Sequence, residues 1–276
     1  MKFKNKIIHI LVCLKFPHIF RYIFQKKKLT ILYYHDINSA DFENHIDFLK
    51  KYYSIITLND FLLGRSTNTK YRLLITFDDG HIGNARLLPI LEQKNTTITI
   101  FLTSGLVNTN RHFWFLGLQE SEKKHLKSIS DADRLAILAE KYDYFDEKEF
   151  NKPQALNLDQ INKMSNYVDF QSHTVTHPCL PNCSAEKSKL EILRSKFDLE
   201  QVLSKPITCL AFPNGDYTDR EIQIAQSSGY KYLFTTKFGF NKNNDRILKR
   251  ISTNDTNNIE ELFLRVTGIW NLLKKL

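Results

Sequence analysis

From residue 29 onward the chain alternates two hydrophobic rhythms. Short, nearly unbroken apolar runs occur at LTILYYH (29–35), YSIITL (53–58), YRLLITF (71–77), TTITIFLT (96–103), YVDFQS (167–172), PITCLAF (206–212), YKYLFTT (230–236) and RILKRIS (246–252). Each predicts a strand, and unbroken runs such as LLITF predict burial on both faces, as parallel strands require. Between them lie stretches with apolar residues three and four apart, such as DFENHIDFLKKYY with Phe42, Ile46 and Leu49 on one face. DADRLAILAEKY, SAEKSKLEILRSKFDLEQVL opened by Ser184, and Tyr217 to Ser228 closed by Gly229 read likewise as helices. Repeated β-α units predict an α/β fold with a largely parallel sheet or barrel.

Two segments depart from this rhythm. Residues 118–153 are charged, poor in β-branched residues and free of glycine, which predicts a helical insertion near the substrate mouth or on the rim. The last stretch places Ile259, Leu262, Phe263, Val266, Ile269, Trp270 and Leu273 on one helical face, a stripe expected to pack on the domain.

Charge changes the picture at the N-terminus. The net charge is +9, with 39 basic and 30 acidic residues, and Lys2, Lys4, Lys6, Lys15, Arg21, Lys26, Lys27 and Lys28 all precede the first acid, Asp36. Taking those eight away leaves 31 basic against 30 acidic residues, so no diffuse nucleic-acid-binding surface is expected. Apolar residues from Ile7 to Phe24 interleave with these cations. The longest uncharged run, IIHILVCL, is far shorter than the roughly 20 residues of a spanning helix. Residues 1–28 therefore read as a basic amphipathic segment lying on an anionic membrane, with residues 29–276 as the main domain. A helix simply packed on the domain is the next reading, and an export signal is weaker, because no small-x-small cleavage site follows. The expected location is cytoplasmic, at the inner face of the membrane, with export left open.

Cys13, Cys179, Cys183 and Cys209 form no spaced framework and read as free thiols. A structural zinc site using Cys179, Cys183 and the nearby histidines is conceivable, but CxxC spacing is absent.

The chemistry-bearing residues cluster at strand ends. TFDDG (76–80) puts two adjacent carboxylates at the carboxyl end of a buried strand, where they repel unless something positive lies beside them. A helix cap with a solvated neighbour is the plain alternative. SHTVTH (172–177) also follows a strand, and His173 and His177, four apart, would share one side of a helical turn. Two histidines with one carboxylate leave coordination positions open, the condition for a catalytic ion. Non-haem iron chemistry uses such a set too, but only hydrolysis gives the second aspartate work, as the base that takes a proton from water.

TFDDG and HTVTH together resemble the first two motifs of the polysaccharide deacetylases, the carbohydrate esterase family with the NodB homology domain, over about residues 30–252. The resemblance implies a distorted, incomplete (β/α) barrel. It implies Asp78 as catalytic base, with Asp79, His173 and His177 holding a divalent metal, usually zinc. The family's general acid is a histidine in a Leu-x-His motif near the C-terminal end, yet no histidine follows His177 here. LYYHD (32–36) fits instead, as in a circularly permuted branch similar to poly-N-acetylglucosamine deacetylases, which makes His35 the candidate acid with Asp36 to orient it. AFPNG (211–215) stands where the family has Arg-x-Pro-Tyr, so Pro213, Asn214 and Gly215 are the expected oxyanion turn. The arginine is missing, and Arg250 is the candidate partner of Asp78.

The expected function is metal-dependent removal of N-acetyl groups from an N-acetylhexosamine-containing glycan or lipid-linked saccharide. The alternatives are an O-acetyl or formyl hydrolase of the same fold, and a non-catalytic sugar-binding relic.

Overall fold

The computed structural model describes residues 2–65 and 71–273; the side chains of residues 2–5, which include Lys2 and Lys4 of the basic segment, and the last three residues of the C-terminal stretch lie outside the described residues. Among the described residues nine strands form one parallel sheet: β1 (Leu29–Tyr34), β2 (Ser54–Ile55), β3 (Arg72–Phe77), β4 (Ile98–Leu102), β5 (Val168–Ser172), β6 (Cys209–Ala211), β7 (Tyr232–Phe234), β8 (Ile247–Leu248) and β9 (Ile251–Ser252). Their order is β8-β7-β6-β5-β4-β3-β1-β9, with β2 pairing off β3. The sheet curls into an incomplete barrel. Its central strands β3 and β4 are buried along their whole length, which explains their unbroken apolar runs.

The stretch read as one strand, RILKRIS, is two strands at opposite edges of the sheet. β8 pairs β7, while β9 pairs β1 through Leu32–Ile251 and Tyr33–Ser252. Only Lys249 and Arg250 separate them, so the chain itself crosses the gap between the two edges. Asn241 fixes that crossing: its side chain donates to the carbonyl of Lys249 at 2.8 Å and accepts from the Lys249 N–H at 2.8 Å.

The α-helices of the described residues are α1 (Lys2–Cys13), α2 (Phe16–Phe24), α3 (Ser39–Tyr52), α4 (Leu58–Leu62), α5 (Leu88–Gln93), α6 (Glu120–Leu126), α7 (Asp131–Tyr142), α8 (Leu158–Met164), α9 (Ala185–Leu203), α10 (Asp219–Ser227), α11 (Ile259–Thr267) and α12 (Ile269–Leu273). Caps fix several starts, among them Asn38 on α3, Ser130 on α7 and Ser184 on α9. The main core lies between the sheet and α3, α9 and α11, around Phe42, Ile46, Leu49, Ile192, Leu199 and Phe263. A second cluster, including Leu29, Ile31, Leu74, Phe101 and Phe234, fills the barrel interior.

The C-terminal stripe is two helices, not one. Gly268 ends α11 at φ 90°, and a Cβ there would meet Phe238 at 2.7 Å. The glycine therefore permits both the left-handed turn and the close approach.

Residues 118–153 contain α6 and α7. Buried Arg134 anchors this stretch, pairing with Asp131 at 2.5 Å and lying 4.6 Å above the Trp114 ring. The N-terminal segment is a bent pair, α1 and α2, meeting at 66°. Lys15 in left-handed conformation and Pro17 at the start of α2 produce the break. One side packs on the domain through Ile8 against Leu264 and Ile269, with Arg21 over Tyr71 at 4.5 Å. The other side leaves Ile7, Ile10, Leu14, Ile19, Ile23 and Phe24 exposed.

Candidate metal and catalytic site

β3 delivers Asp78 and Asp79 to the carboxyl end of the sheet. Asp79 and Gly80 both take positive φ, at 71° and 74°, and a Cβ on Gly80 would fall 2.6 Å from Leu102. That turn sends the neighbouring carboxylates to different partners. Asp78 meets Arg250, whose guanidinium donates to both carboxylate oxygens at 2.6 and 2.8 Å. Asp79 meets three imidazoles: His173 Nε2 and His177 Nε2 lie 3.4 and 3.3 Å from its Oδ1, and His81 Nε2 lies 3.1 Å from its Oδ2.

The two motif histidines converge by a route other than the predicted helical turn. Residues 173–177 form an irregular loop in which Thr174 and His177 are left-handed, at φ 69° and 59°. Buried Glu191 on α9 holds it, accepting from the N–H groups of Val175 and Thr176 at 2.8 and 2.9 Å and from the Thr176 hydroxyl at 2.8 Å. Trp114 Nε1 donates to the His177 carbonyl at 2.9 Å.

These contacts fit a cation. His173 Nδ1 lies 2.8 Å from the Ala211 carbonyl, which can only accept, so that nitrogen carries the proton. Nε2 is then the ring nitrogen that faces an Asp79 oxygen. That oxygen, Oδ1, is buried and without a hydrogen bond among the described residues. One ligand atom from each of Asp79, His173 and His177 lies within 4.8 Å of the others, and all three residues are buried. A buried carboxylate oxygen facing two imidazole nitrogens is the donor set of a divalent transition ion with positions left open.

Electrostatics separates the two aspartates. Burial would raise both carboxyls. For Asp78 the charge and hydrogen bonds of Arg250, with His173 and His35, outweigh it and hold the group below the ordinary carboxylate range. For Asp79 the contacts with His173, His177 and His81 do so, and the group is held well below that range. Burial lowers His177, and it also works against His81, where the Asp79 carboxylate prevails and raises the imidazole.

A cavity of about 240 Å³ opens over these groups. Asp78, Asp79, His173, His177, His35 and Asn214 all line it. Thus the structure brings every predicted catalytic and metal residue to one cavity, together with Asn214 of the predicted oxyanion turn, while Pro213 and Gly215 are buried beside it and do not line it. Asn214 is left-handed at φ 57°, and Gly215 is pressed so closely on Thr236 that a Cβ would fall 1.9 Å from its hydroxyl. Asp36 does not face His35. Its carboxylate pairs with Arg86 at 2.5 Å, whereas Asp255 lies 3.9 Å from His35 Nδ1 and accepts from the His35 N–H at 3.4 Å. No Cys/His zinc site forms among the described residues, because Cys179 and Cys183 are buried free thiols outside the metal-ligand cluster.

Several contributors carried no clear signal in the sequence. His81 stands two residues beyond Asp79, Glu191 lies on an ordinary amphipathic helix, and Phe115 and Lys127, around the insertion, line the cavity wall.

Comparison with known proteins agrees with this geometry. The sequence profile described as polysaccharide deacetylase matches residues 65–233, more than half of the chain. A candidate polysaccharide deacetylase of Bacillus subtilis, YxkH, is 24% identical over 226 residues, 77% of this chain and 66% of that protein's length. Among solved structures, the fold resembles the Streptococcus pyogenes deacetylase PplD in complex with acetate, with a TM-score of 0.64 and 22% identity, covering 88% of this chain and 99% of that one. It also resembles IcaB from Ammonifex degensii, with a TM-score of 0.64 and 17% identity over 89% of this chain and 97% of that one. His35 and Arg250 lie outside the profile match, whereas both aspartates and both motif histidines lie within it. The paired motifs, the curled parallel sheet and the profile agree: the chain belongs to the polysaccharide deacetylase family.

Proposed function

We propose that the protein is a metal-dependent hydrolase that removes N-acetyl groups from an N-acetylhexosamine-containing glycan or lipid-linked saccharide. One observation carries this reading: adjacent carboxylates on one wall of a cavity have opposite partners, Asp78 an arginine and Asp79 a pair of histidines. The first is arranged to accept a proton, the second to hold a cation.

Asp79, His173 and His177 would hold the ion, and their nitrogen and oxygen donors suit zinc. When bound, such an ion polarises a carbonyl and lets water give up its proton near neutral pH. Asp78 takes that proton. Arg250 keeps Asp78 ionised and fixes its plane through two hydrogen bonds. Asn214, in the turn from Pro213 to Gly215, lines the same cavity, where a backbone N–H of the turn would steady charge on the amide oxygen. His35 protonates the departing amine.

The assignment of His35 draws support from the sheet. The first strand, β1, runs beside the last, β9, so a histidine ending β1 occupies the corner that a C-terminal motif would fill in an unpermuted barrel. The exposed apolar side of α1 and α2, flanked by Lys6, Lys15, Lys26, Lys27 and Lys28 with no acid among them, supports docking of residues 1–28 on an anionic membrane surface. A lipid-linked saccharide or a growing surface glycan would then be presented to the cavity.

The test is acetate release from N-acetylhexosamine oligomers with and without chelator. Asp78→Asn and His35→Ala should each abolish turnover while metal content is kept. Chelator-insensitive release, or no release from any N-acetylated glycan, overturns the reading; full activity in His35→Ala removes His35 from it.

A further inference from the structure

One charge on the wall of the catalytic cavity has no counterpart. The acids that line it are already matched, Asp78 by the Arg250 guanidinium and Asp79 by its imidazoles. Lys127 lines the same cavity, and among the described residues its ammonium makes no ion pair and no hydrogen bond. The other cations that α6 and α7 withdraw from solvent are paired, Lys123 with Glu120 at 2.8 Å and Arg134 with Asp131 at 2.5 Å.

The stem of this lysine is held in place. Lys127 caps the C-terminal end of α6, its N–H donates to the Lys123 carbonyl at 3.0 Å, and its own carbonyl accepts from Asn182 Nδ2 at 2.8 Å. The preceding Leu126 is buried in a cluster with Trp114, Leu138, Tyr144 and Cys179. Trp114 in turn donates to the His177 carbonyl, so the backbone that carries the ammonium is tied to the loop that carries His177. The helix dipole favours a cation at this end of α6, but it does not account for a place on the cavity wall.

An uncharged acetamido sugar offers the ammonium only ordinary hydrogen bonds. A phosphate or carboxylate oxygen offers charge-assisted ones, which are shorter and roughly twice as strong. An ammonium on a flexible stem acts as a point charge, so it suits either anion. We propose that Lys127 makes the cavity selective for an N-acetylated sugar bearing an anionic oxygen group, a phosphate or a carboxylate, over an uncharged one. A saccharide joined to lipid through phosphate and a glycan with acidic sugars both meet this requirement. The proposal rests on the deacetylase reading for its reaction, but not for the binding of the anion.

Three sugars test it on the full-length protein: methyl N-acetylglucosaminide, N-acetylglucosamine 1-phosphate, and N-acetylmuramic acid, which carries a carboxylate. In the wild type at low salt, kcat/KM for acetate release should be about tenfold higher for one or both anionic sugars than for the neutral glycoside. Preference for one anion over the other identifies the group the cavity takes. The anionic-to-neutral ratio should shrink as salt is added, fall about tenfold in Lys127→Met and Lys127→Gln, and be kept in Lys127→Arg. Because the ammonium touches no protein group, these variants should stay folded by circular dichroism. Calorimetry on Asp78→Asn should rank the three affinities in the same order without turnover.

Equal turnover of all three sugars overturns the selectivity and leaves the deacetylase reading standing. A preference for the anion that survives both neutral variants also overturns it, because its source would then be the ion or Arg250. Anion binding that depends on Lys127, without acetate release from any sugar, keeps the anion site and overturns the deacetylase reading. Absence of both binding and turnover overturns the two together.

Discussion

Arg250 reaches through the barrel interior to grip Asp78, although 172 positions separate them in the chain. The arginine comes from the two-residue crossing between the edge strands, is fully buried, and also donates to the Thr235 carbonyl at 3.0 Å and the Thr76 hydroxyl at 3.2 Å. It lies 4.8 Å from the centre of the Tyr33 ring. One side chain therefore closes the barrel and holds the proposed base.

Removing that arginine should cost both stability and activity. Arg250→Met leaves a buried carboxylate without its cation, a change that typically costs about 3–5 kcal/mol. Asp78 would lose the interaction that lowers its pKa, so the acid limb of the kcat/KM profile should move to higher pH in any folded Arg250 variant. Arg250→Met combined with Asp78→Asn should recover much of the stability, measured by denaturant unfolding, and none of the activity. A single variant as active as wild type, with an unmoved acid limb, would show that the pair is structural only.

How much of this was legible in the sequence depended on the range of the signal. Buried parallel strands announce themselves by unbroken apolar runs, so β1, β3, β4 and β5 could be read directly, and the motif pair pointed to Asp78, Asp79, His173 and His177, which line one cavity. RILKRIS failed as a single strand because two-residue strands carry no period, and nothing local says that a chain will change edges at Lys249 and Arg250. The helical turn expected at His173 to His177 failed for a related reason: Glu191, from a helix 14 positions later, supplies the hydrogen bonds that hold a left-handed loop. The break at Gly268 did have a signal, a glycine within the apolar stripe, but the helical period of the stripe continues across it. Asp255 replaced Asp36 beside His35 because the loop after β9 folds back over β1, a long-range contact.

Loss of the ion should be visible in the folded protein. With cation at about 100 times its dissociation constant, binding contributes about 2.7 kcal/mol, which corresponds to a rise of roughly 5–10 °C in Tm for a domain of this size. Chelator should reverse the rise in wild type. Asp79→Ala and His177→Ala should show no metal-dependent rise and no stoichiometric metal by elemental analysis. A chelator-independent Tm together with metal-free wild-type protein would remove the ion from the site.

Glu191 should control metal affinity without touching the ion. Its carboxylate gathers the Val175 and Thr176 N–H groups and pairs with Lys187 at 3.1 Å. Glu191→Ala leaves those donors unpaired and frees the loop carrying His177. Supporting contacts of this kind typically contribute about 10–100-fold to metal affinity, and that is the loss expected by titration in a variant that remains folded by circular dichroism. Affinity unchanged in Glu191→Ala would mean that the loop holds its shape without α9.

Acid should weaken the fold through His45. This imidazole is buried, its Nδ1 3.1 Å from the Tyr34 hydroxyl, and burial pushes its pKa down to about 4 against partial opposition from the Thr256 backbone and from Asp41 and Asp255. Between about 4 and the usual value near 6.5, the unfolded chain binds the proton and the folded chain does not. The contribution is therefore complete above about pH 6.5 and is lost as pH falls toward 4, on the order of 3 kcal/mol in all. Denaturant unfolding at stepped pH should record this decline, and His45→Gln should flatten it. An equally steep decline in the variant would assign the acid sensitivity to other groups.

Membrane docking predicts a charge-dependent and salt-dependent association. Ile7, Ile10, Leu14, Ile19, Ile23 and Phe24 are exposed on α1 and α2, and Lys26, Lys27 and Lys28 follow directly. Near an anionic surface each such lysine contributes about 1 kcal/mol, so replacing all three by glutamate should weaken binding to phosphatidylserine-containing vesicles by more than a hundredfold. Ile19→Ser with Ile23→Ser should weaken binding to the same vesicles with less effect on its salt dependence, because those side chains contribute apolar burial rather than charge. Neither set of changes touches the cavity, so turnover of a soluble oligomer should persist while turnover of a vesicle-embedded lipid-linked saccharide falls. Equal binding of wild type and triple-glutamate protein to anionic and neutral vesicles would rule out the electrostatic part of the docking, and no binding by wild type would rule out the docking itself.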